Sequence, residues 1–221
     1  GSVATYPFGR GGFEVSKLEE ATAKRYLPAA KLSKLKSSTA SNPQCEYARK
    51  LFLFSYYCYG ISFIDMAMLT AAHIKQMEDG DYIVYKRQKI KRQKGVKPIS
   101  IKITPAIRQL IESLQAASPT VDDFLLPVVT RSGYTGERLY MHIRTRYSKY
   151  QKYLRLLAEE LGIDFHLTSY VSRHTAAMTL QRNHIPREVI SQMLGHADLE
   201  TTNVYLDSFD NGVINEAAKV L

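Results

Sequence analysis

Three short groups near the C-terminus carry side chains able to do chemistry: Arg173-His174-Thr175, Leu194-Gly195-His196 and Thr201-Thr202-Asn203-Val204-Tyr205. An arginine keeps its charge and offers two N–H donors to one oxyanion. An imidazole donates a hydrogen bond or moves a proton near neutral pH. Such groups suit phosphoryl transfer, which needs an in-line nucleophile, positive charge on the non-bridging oxygens and a proton for the leaving group. The elements that must position them are also legible. Thr168-Ser169 offers hydroxyl caps for a helix that Asn183 and Pro186 close. A second helix, Pro186 to Leu194, is expected to bury Val189, Ile190, Met193 and Leu194. Gly195 suits the left-handed residue that ends a helix, so His196 follows a rigid turn. Asp198 is expected to cap a third helix with Tyr205 on its second turn.

Arg-His-Thr, Leu-Gly-His and Thr-Thr-x-x-Tyr, in this order and with nine residues from His196 to Tyr205, resemble the catalytic box of the tyrosine recombinases, the phage-integrase family of site-specific DNA recombinases. The resemblance is nearest to integrases of bacterial mobile elements. It implies that Tyr205 is the nucleophile, that Arg173 grips the scissile phosphate and that His196 donates to that phosphate or helps deprotonate Tyr205. Plain alternatives exist for each: a core tyrosine, a structural ion-pair arginine and a helix-cap histidine. His174 reads as a structural histidine. The family also places a general-acid lysine in the turn between the second and third strands. Lys89 matches it through Arg87-Gln88-Lys89, with Lys91 and Lys94 as rivals. Residues two apart face one side of a strand, so Arg87 and Lys89 are expected to enter the site together.

Two family positions are altered. The first arginine belongs to a Gly-x-Arg-x-x-Glu pattern, which here reads Gly60-Ile61-Ser62-Phe63-Ile64-Asp65, with Ser62 in the arginine place. Tyr59, before the glycine, supplies no arginine either. A histidine three residues before Arg173 is replaced by Tyr170, still on the same helix face. Ser62, Tyr170 and above all Arg87 are the candidates to make good the missing groups.

The charge points the same way. The chain carries a formal net charge of +9 over 221 residues, which favours a polyanionic partner. Residues 86–102 hold eight Lys or Arg and residues 138–155 hold six, neither stretch containing an acid. A solvated face is the bland reading; Lys86, Arg92, Lys94, Arg144, Lys149, Lys152 and Arg155 are the expected contacts to DNA backbone. No apolar run of membrane-spanning length is present, and no carboxylate cluster suggests a pair of metals. The two cysteines, Cys45 and Cys58, fit a reducing compartment, where a disulfide between them is possible but unneeded.

Residues 1–15, with Gly1-Ser2 as a cloning scar, read as a linker, and residues 16–221 as the catalytic domain; the family's N-terminal DNA-gripping domain is expected to lie outside this chain. Along the domain the pattern predicts a short helix from the Ser16–Glu19 capping box and another around Leu32 and Leu35. Helices are expected over Pro43–Tyr59, Ser62–Leu69, Pro105–Leu114 and 139–161. The last buries Ile143, Tyr147, Tyr150, Leu154, Leu157 and Leu161 on one face. Strands are expected at Ala72–Ile74, Tyr82–Tyr85 and Val96–Ile103. The fold expected is mainly α with a small three-stranded antiparallel sheet, the tyrosine recombinase catalytic fold. The resemblance implies strand exchange through a 3′-phosphotyrosyl intermediate without metal or other cofactor. The partners implied are double-stranded DNA and other copies of the chain, a homotetramer on paired sites and a monomer when free, in the bacterial cytoplasm at the nucleoid. The rival reading is a non-catalytic DNA-binding protein on the same fold.

Overall fold

The computed structural model describes residues 26–90 and 96–195. The linker, the Ser16 capping box, the Asp198-capped helix and the side chains of Lys91, Arg92, Lys94, His196 and Tyr205 lie outside the described residues. Among those described are seven α-helices and one three-stranded sheet, the mainly α architecture expected. No helix there is long and apolar enough to cross a membrane.

The core is built around α2 (Pro43–Tyr57). The Asn42 side-chain oxygen accepts the N–H groups of Gln44 at 2.8 Å and Cys45 at 3.3 Å, and Pro43 sits where a missing N–H costs nothing. Ala48, Leu51, Phe52 and Phe54 are fully buried and Leu53 and Tyr56 nearly so. The helix is covered on several sides, by α4 (Pro105–Ala117), α5 (Gly136–Glu160) and α6 (Ser169–Arg182). α1 (Ala29–Ser37) adds Leu32 and Leu35 to the same core. Cys45 and Cys58 are buried free thiols, and burial raises both above the usual thiol range.

α2 ends at Tyr57, two residues short of expectation, because Tyr59 and Gly60 turn left-handed, at φ 57° and 72°. Ser62 then becomes the cap of α3 (Phe63–Ala67), its hydroxyl accepting the Asp65 N–H at 3.2 Å. Phe63 docks α3 on α5, its ring 5.3 Å from Tyr147 and 5.1 Å from Tyr150. α5 buries Ile143, Tyr150, Leu154 and Leu157 as its periodicity predicts, but Tyr147 stays 37% exposed at the edge of the stripe.

The strands run β1 (Ile74–Met77), β2 (Gly80–Tyr85) and β3 (Ile99–Lys102), antiparallel in that order. Ile83 pairs with both Ile74 and Ile101, and Tyr85 with Ile99. Ile83, Tyr85, Ile99 and Ile101 face the core. Two boundaries differ from expectation for local reasons. Ala71–His73 is a 3-10 turn rather than strand, because the His73 ring nitrogen Nδ1 accepts the Thr70 N–H at 3.0 Å. β3 starts only after Pro98, which has no N–H for the ladder.

α7 (Arg187–Leu194) packs on α6 through Ala177, Met178, Ile190 and Leu194, a small cluster apart from the main core. Val189, expected inside, is 44% exposed, and Met193 is only half-buried. α7 packs on α6 and meets β3, and its eight residues bury a single stripe, Ile190 and Leu194 at i, i+4. This face assignment is testable by urea denaturation. Ile190→Ala should cost about 2–5 kcal/mol, as for other buried isoleucines, whereas Val189→Ala should stay within about 0.5 kcal/mol.

Candidate active site

Arg173 sits in the second turn of α6 and is only 5% exposed. Its Nη1 donates to the Gly60 carbonyl at 3.1 Å and its Nη2 to the Leu194 carbonyl at 2.5 Å. The two acceptors come from the reversal after α2 and from the end of α7. Leu194 belongs to the last helical turn, whose carbonyls lack intrahelical partners, so a cation finds a ready acceptor there. Gly195 is left-handed at φ 64°, as its place in the sequence predicts.

Gly60 is needed for a second reason besides its φ of 72°. A Cβ there would fall 2.4 Å from the Arg173 Cα and 2.5 Å from its Cβ. The chain reversal therefore touches the α6 backbone at the residue that carries the guanidinium. Hydroxyls hold the same junction. Ser55 Oγ lies 2.8 Å from the Ile61 carbonyl and Ser172 Oγ 2.7 Å from the Ser169 carbonyl, and the two hydroxyls are hydrogen-bonded at 2.7 Å, one donating to the other and the other to its carbonyl. Ser172 directly precedes Arg173, yet its pairing with Ser55, 117 positions away, left no mark in the sequence.

Arg87 approaches from the sheet. Its Nη1 donates to the Gly195 carbonyl at 3.4 Å, a long bond, and its Cδ lies 3.4 Å from where a Gly195 Cβ would be. Two guanidiniums thus rest on the carbonyls of adjacent residues, Leu194 and Gly195. Asp65 tethers the segment after β2. This buried carboxylate accepts the Gln88 N–H at 2.7 Å and the Ser62 hydroxyl at 2.6 Å. Ser62 therefore directs its one proton at Asp65. Asp65 stands at the acidic end of the Gly-x-Arg-x-x-Glu pattern, which was the signal available for it. The buried Tyr85 phenol lies among these groups. Desolvation pushes its pKa far up, the Asp65 charge adds to that, and Arg173 and Arg87 oppose it.

The expectation that Arg87 and Lys89 share a strand face is not met. β2 ends at Tyr85, and residues 88–90 turn, with Ile90 N–H bonded to Arg87 O at 3.1 Å. Arg87 lines the central cleft. Lys89 is exposed on the turn and does not line it. The cleft, of about 410 Å³, is walled by Gly60, Ser62, Arg87, Arg144, Tyr147, Tyr170 and Arg173 among others, with no carboxylate among its described residues. Tyr170 is 54% exposed and meets the half-buried His174 ring edge-on at 5.1 Å. Lys86, Lys149, Lys152 and Arg155 are exposed, but along α5 the basic residues fan around the outer half. Arg144 borders the cleft, and Lys149 lies on the opposite flank.

A concave site with two guanidiniums and no carboxylate among its described residues is able to hold a phosphate. The structure shares the fold of solved tyrosine recombinases. It is similar to XerA recombinase, with a TM-score of 0.60 and 20% identity over 88% of this chain and 64% of that one. It is similar to the XerH site-specific recombinase bound to its difH substrate, at 0.61 and 19% over 87% and 53%. It is also similar to the Tn1549 transposon integrase in complex with a circular intermediate DNA, at 0.64 and 13% over 95% and 70%. The sequence profile of the phage integrase family matches residues 25–211, and the chain belongs to that family. Curated relatives include tyrosine recombinase XerD of Brucella abortus biovar 1, 30% identical over 121 residues, 52% of this chain and 36% of that protein. Another is XerD of Halalkalibacterium halodurans, 41% identical over 54 residues, 24% and 18%. The chain aligns with well under half the length of these two relatives.

The Gly60 contact yields a paired prediction. Gly60→Ala adds a clash with backbone to a left-handed strain and should cost about 2–6 kcal/mol. Gly133 shares the φ of 72° but has nothing within 4 Å of a Cβ, so Gly133→Ala should cost only the strain, about 1–3 kcal/mol. Thermal melts of the two variants test the difference.

Proposed function

We propose that the chain is the catalytic part of a site-specific DNA recombinase, cleaving and rejoining DNA through a 3′-phosphotyrosyl intermediate. The observation that carries this reading is the convergence of Arg173 and Arg87 on the carbonyls of Leu194 and Gly195, in an acid-free cleft one residue before His196. Family membership and the DNA-bound recombinases of the same fold support it. In this mechanism Tyr205 Oη gives up its proton to His196 and attacks the scissile phosphorus while the bond to the 5′ oxygen breaks, and the departing oxygen takes a proton from Lys89. Arg173 and His196 hold the non-bridging oxygens. The phosphotyrosine conserves the energy of the broken phosphodiester, so attack by a 5′ hydroxyl reverses the step with no metal or cofactor. Repeated between paired sites in a homotetramer, the exchange integrates, excises or inverts a DNA element in the bacterial cytoplasm.

In this reading Arg87 takes the place of the arginine that Ser62 lacks. It is fixed beside Arg173, whereas the Ser62 proton is committed to Asp65. Tyr170 borders the phosphate site from the position where many family members carry histidine. Lys89 acts as the acid once DNA draws its turn toward the cleft.

The test is a nicked suicide duplex carrying the recombination site, to be sought among inverted repeats in the neighbourhood of the gene. Tyr205→Phe should bind this DNA nearly as the parent does and form no covalent protein–DNA band; a persisting band would sink the nucleophile assignment. Arg87→Ala should bind nearly normally yet form the covalent complex about 10²–10³-fold more slowly, the usual effect of losing one fixed donor to transition-state charge. If Arg87 merely contacts backbone phosphate, affinity and salt slope fall instead, and cleavage at saturation keeps its rate.

A further inference from the structure

Among the described residues, the tyrosine and phenylalanine side chains that stay exposed are Tyr140, Tyr147 and Tyr170, at 59%, 37% and 54%. All three line the cleft that holds Arg87 and Arg173. Phe63, Ile64 and Ile143 add to a largely apolar wall. At about 410 Å³ the cleft falls within the range of small-molecule sites, about 300–1,000 Å³. A phosphate accounts for the guanidiniums. It does not account for the rings, to which an oxyanion offers no apolar surface.

The rings are placed by the same elements that place the charge. Tyr140, Arg144 and Tyr147 stand at i, i+4 and i+7 on one face of α5 and line the cleft together. Tyr147 is held still. Its hydroxyl lies 3.2 Å from Ser169 Oγ and accepts a proton of Gln151 Nε2 at 3.0 Å, and its ring tilts against Phe63 at 5.3 Å. Gln151 Oε1 in turn accepts the Ser169 N–H at 3.0 Å, so these contacts join α5 to the start of α6. Tyr170 follows in the first turn of α6, three residues before Arg173. The cleft therefore sets ring surface and phosphate-binding charge in one space.

In a paired duplex the faces of the bases are covered by their neighbours, and only edges, sugars and phosphates are offered. An unpaired base offers its face, on which an aromatic side chain stacks whatever the base. Arg87, Arg144 and Arg173, with no carboxylate among the cleft's described residues, select an anion for the same space. A nucleotide carries both parts. We propose that the cleft takes one unpaired base of the DNA strand held by Arg173 and Arg87, stacked against Tyr140 and Tyr170 with Tyr147 as the fixed wall. The substrate class is then DNA that is opened or unpaired beside the position of cleavage. This rests on the reading of the cleft as the cleavage site and adds a base-binding subsite to it.

The probe is a short end-labelled duplex of arbitrary sequence with one bulged thymine, matched to the same duplex with a bulged abasic residue. The two share their phosphates and differ in the base alone. Read by fluorescence anisotropy at low salt, the full chain should bind the thymine duplex at least about fivefold tighter, the lower end for one stacked base. The salt slopes of the two should agree, because no further phosphate is neutralised. Tyr140→Ala and Tyr170→Ala should each lower the preference, and the double variant should abolish it. Phenylalanine at either position should keep it, since the ring and not the hydroxyl stacks. Both side chains are exposed, so thermal melts of the variants should match the parent. Equal parental affinity for the two duplexes overturns the inference and leaves the recombinase reading standing; it is the result expected if the rings pack against protein instead. A preference that survives the double variant places the base elsewhere and also overturns it. Binding to neither duplex is a failure of the DNA reading itself, and the subsite falls with it.

Discussion

The end of α7 is where the site is decided. The last carbonyls of a helix have no partner within it, and two guanidiniums claim the adjacent pair, Arg173 on Leu194 and Arg87 on Gly195. Each arginine arrives from a different element, α6 and the segment after β2. A buried cation is costly unless it is well bonded; here the carbonyls of Gly60 and Leu194 answer that cost for Arg173. The same bonds fix where Gly195 stands and therefore where the chain leaves toward His196.

The rest of the described structure keeps that junction in place. α7 is held to α6 by four apolar side chains, Ala177, Met178, Ile190 and Leu194. Gly60 lets the reversal after α2 lie against the α6 backbone, and the Ser55 and Ser172 hydroxyls bind the same crossing. On the sheet side, a Cβ at Gly195 would reach within 2.4 Å of the Ile99 side chain, so β3 and α7 are also in direct contact. Asp65 completes the ring by holding the Ser62 cap and the start of the Gln88 turn on one carboxylate. A site built this way does not rest on any single contact, which is the condition for holding a phosphate without reorganising.

Charge is arranged to match. Among the described residues no carboxylate lines the cleft, while acids on the sheet pair locally, Asp79 with Lys102 and Asp81 with Arg108. α5 brings Arg144 to the cleft and buries Tyr150, Leu154 and Leu157 in the core.

Much of this was legible in residue order. Caps, proline positions and 3.6-residue periodicity place α1, α2, α4, α5 and α6, and alternation places β2 and β3, because these signals act over one or two turns of chain. The left-handed Gly195 followed from the same local logic, whereas Arg173 was singled out only by the resemblance to the tyrosine recombinases. What only tertiary structure decided involves partners far apart in sequence: Arg87 against Gly195, Asp65 against Gln88, Ser55 against Ser172, and Gly60 against the Arg173 backbone. Strand periodicity put Lys89 beside Arg87, but β2 stops at Tyr85 and the Asp65 bond to Gln88 sends the chain into a turn. Val189 fell outside because the sides that α7 turns to α6 and β3 bury Ile190 and Leu194, and no pattern along an eight-residue helix reveals where its neighbours will lie. Local order states which face is apolar; the number and direction of packed elements determine which side chains meet.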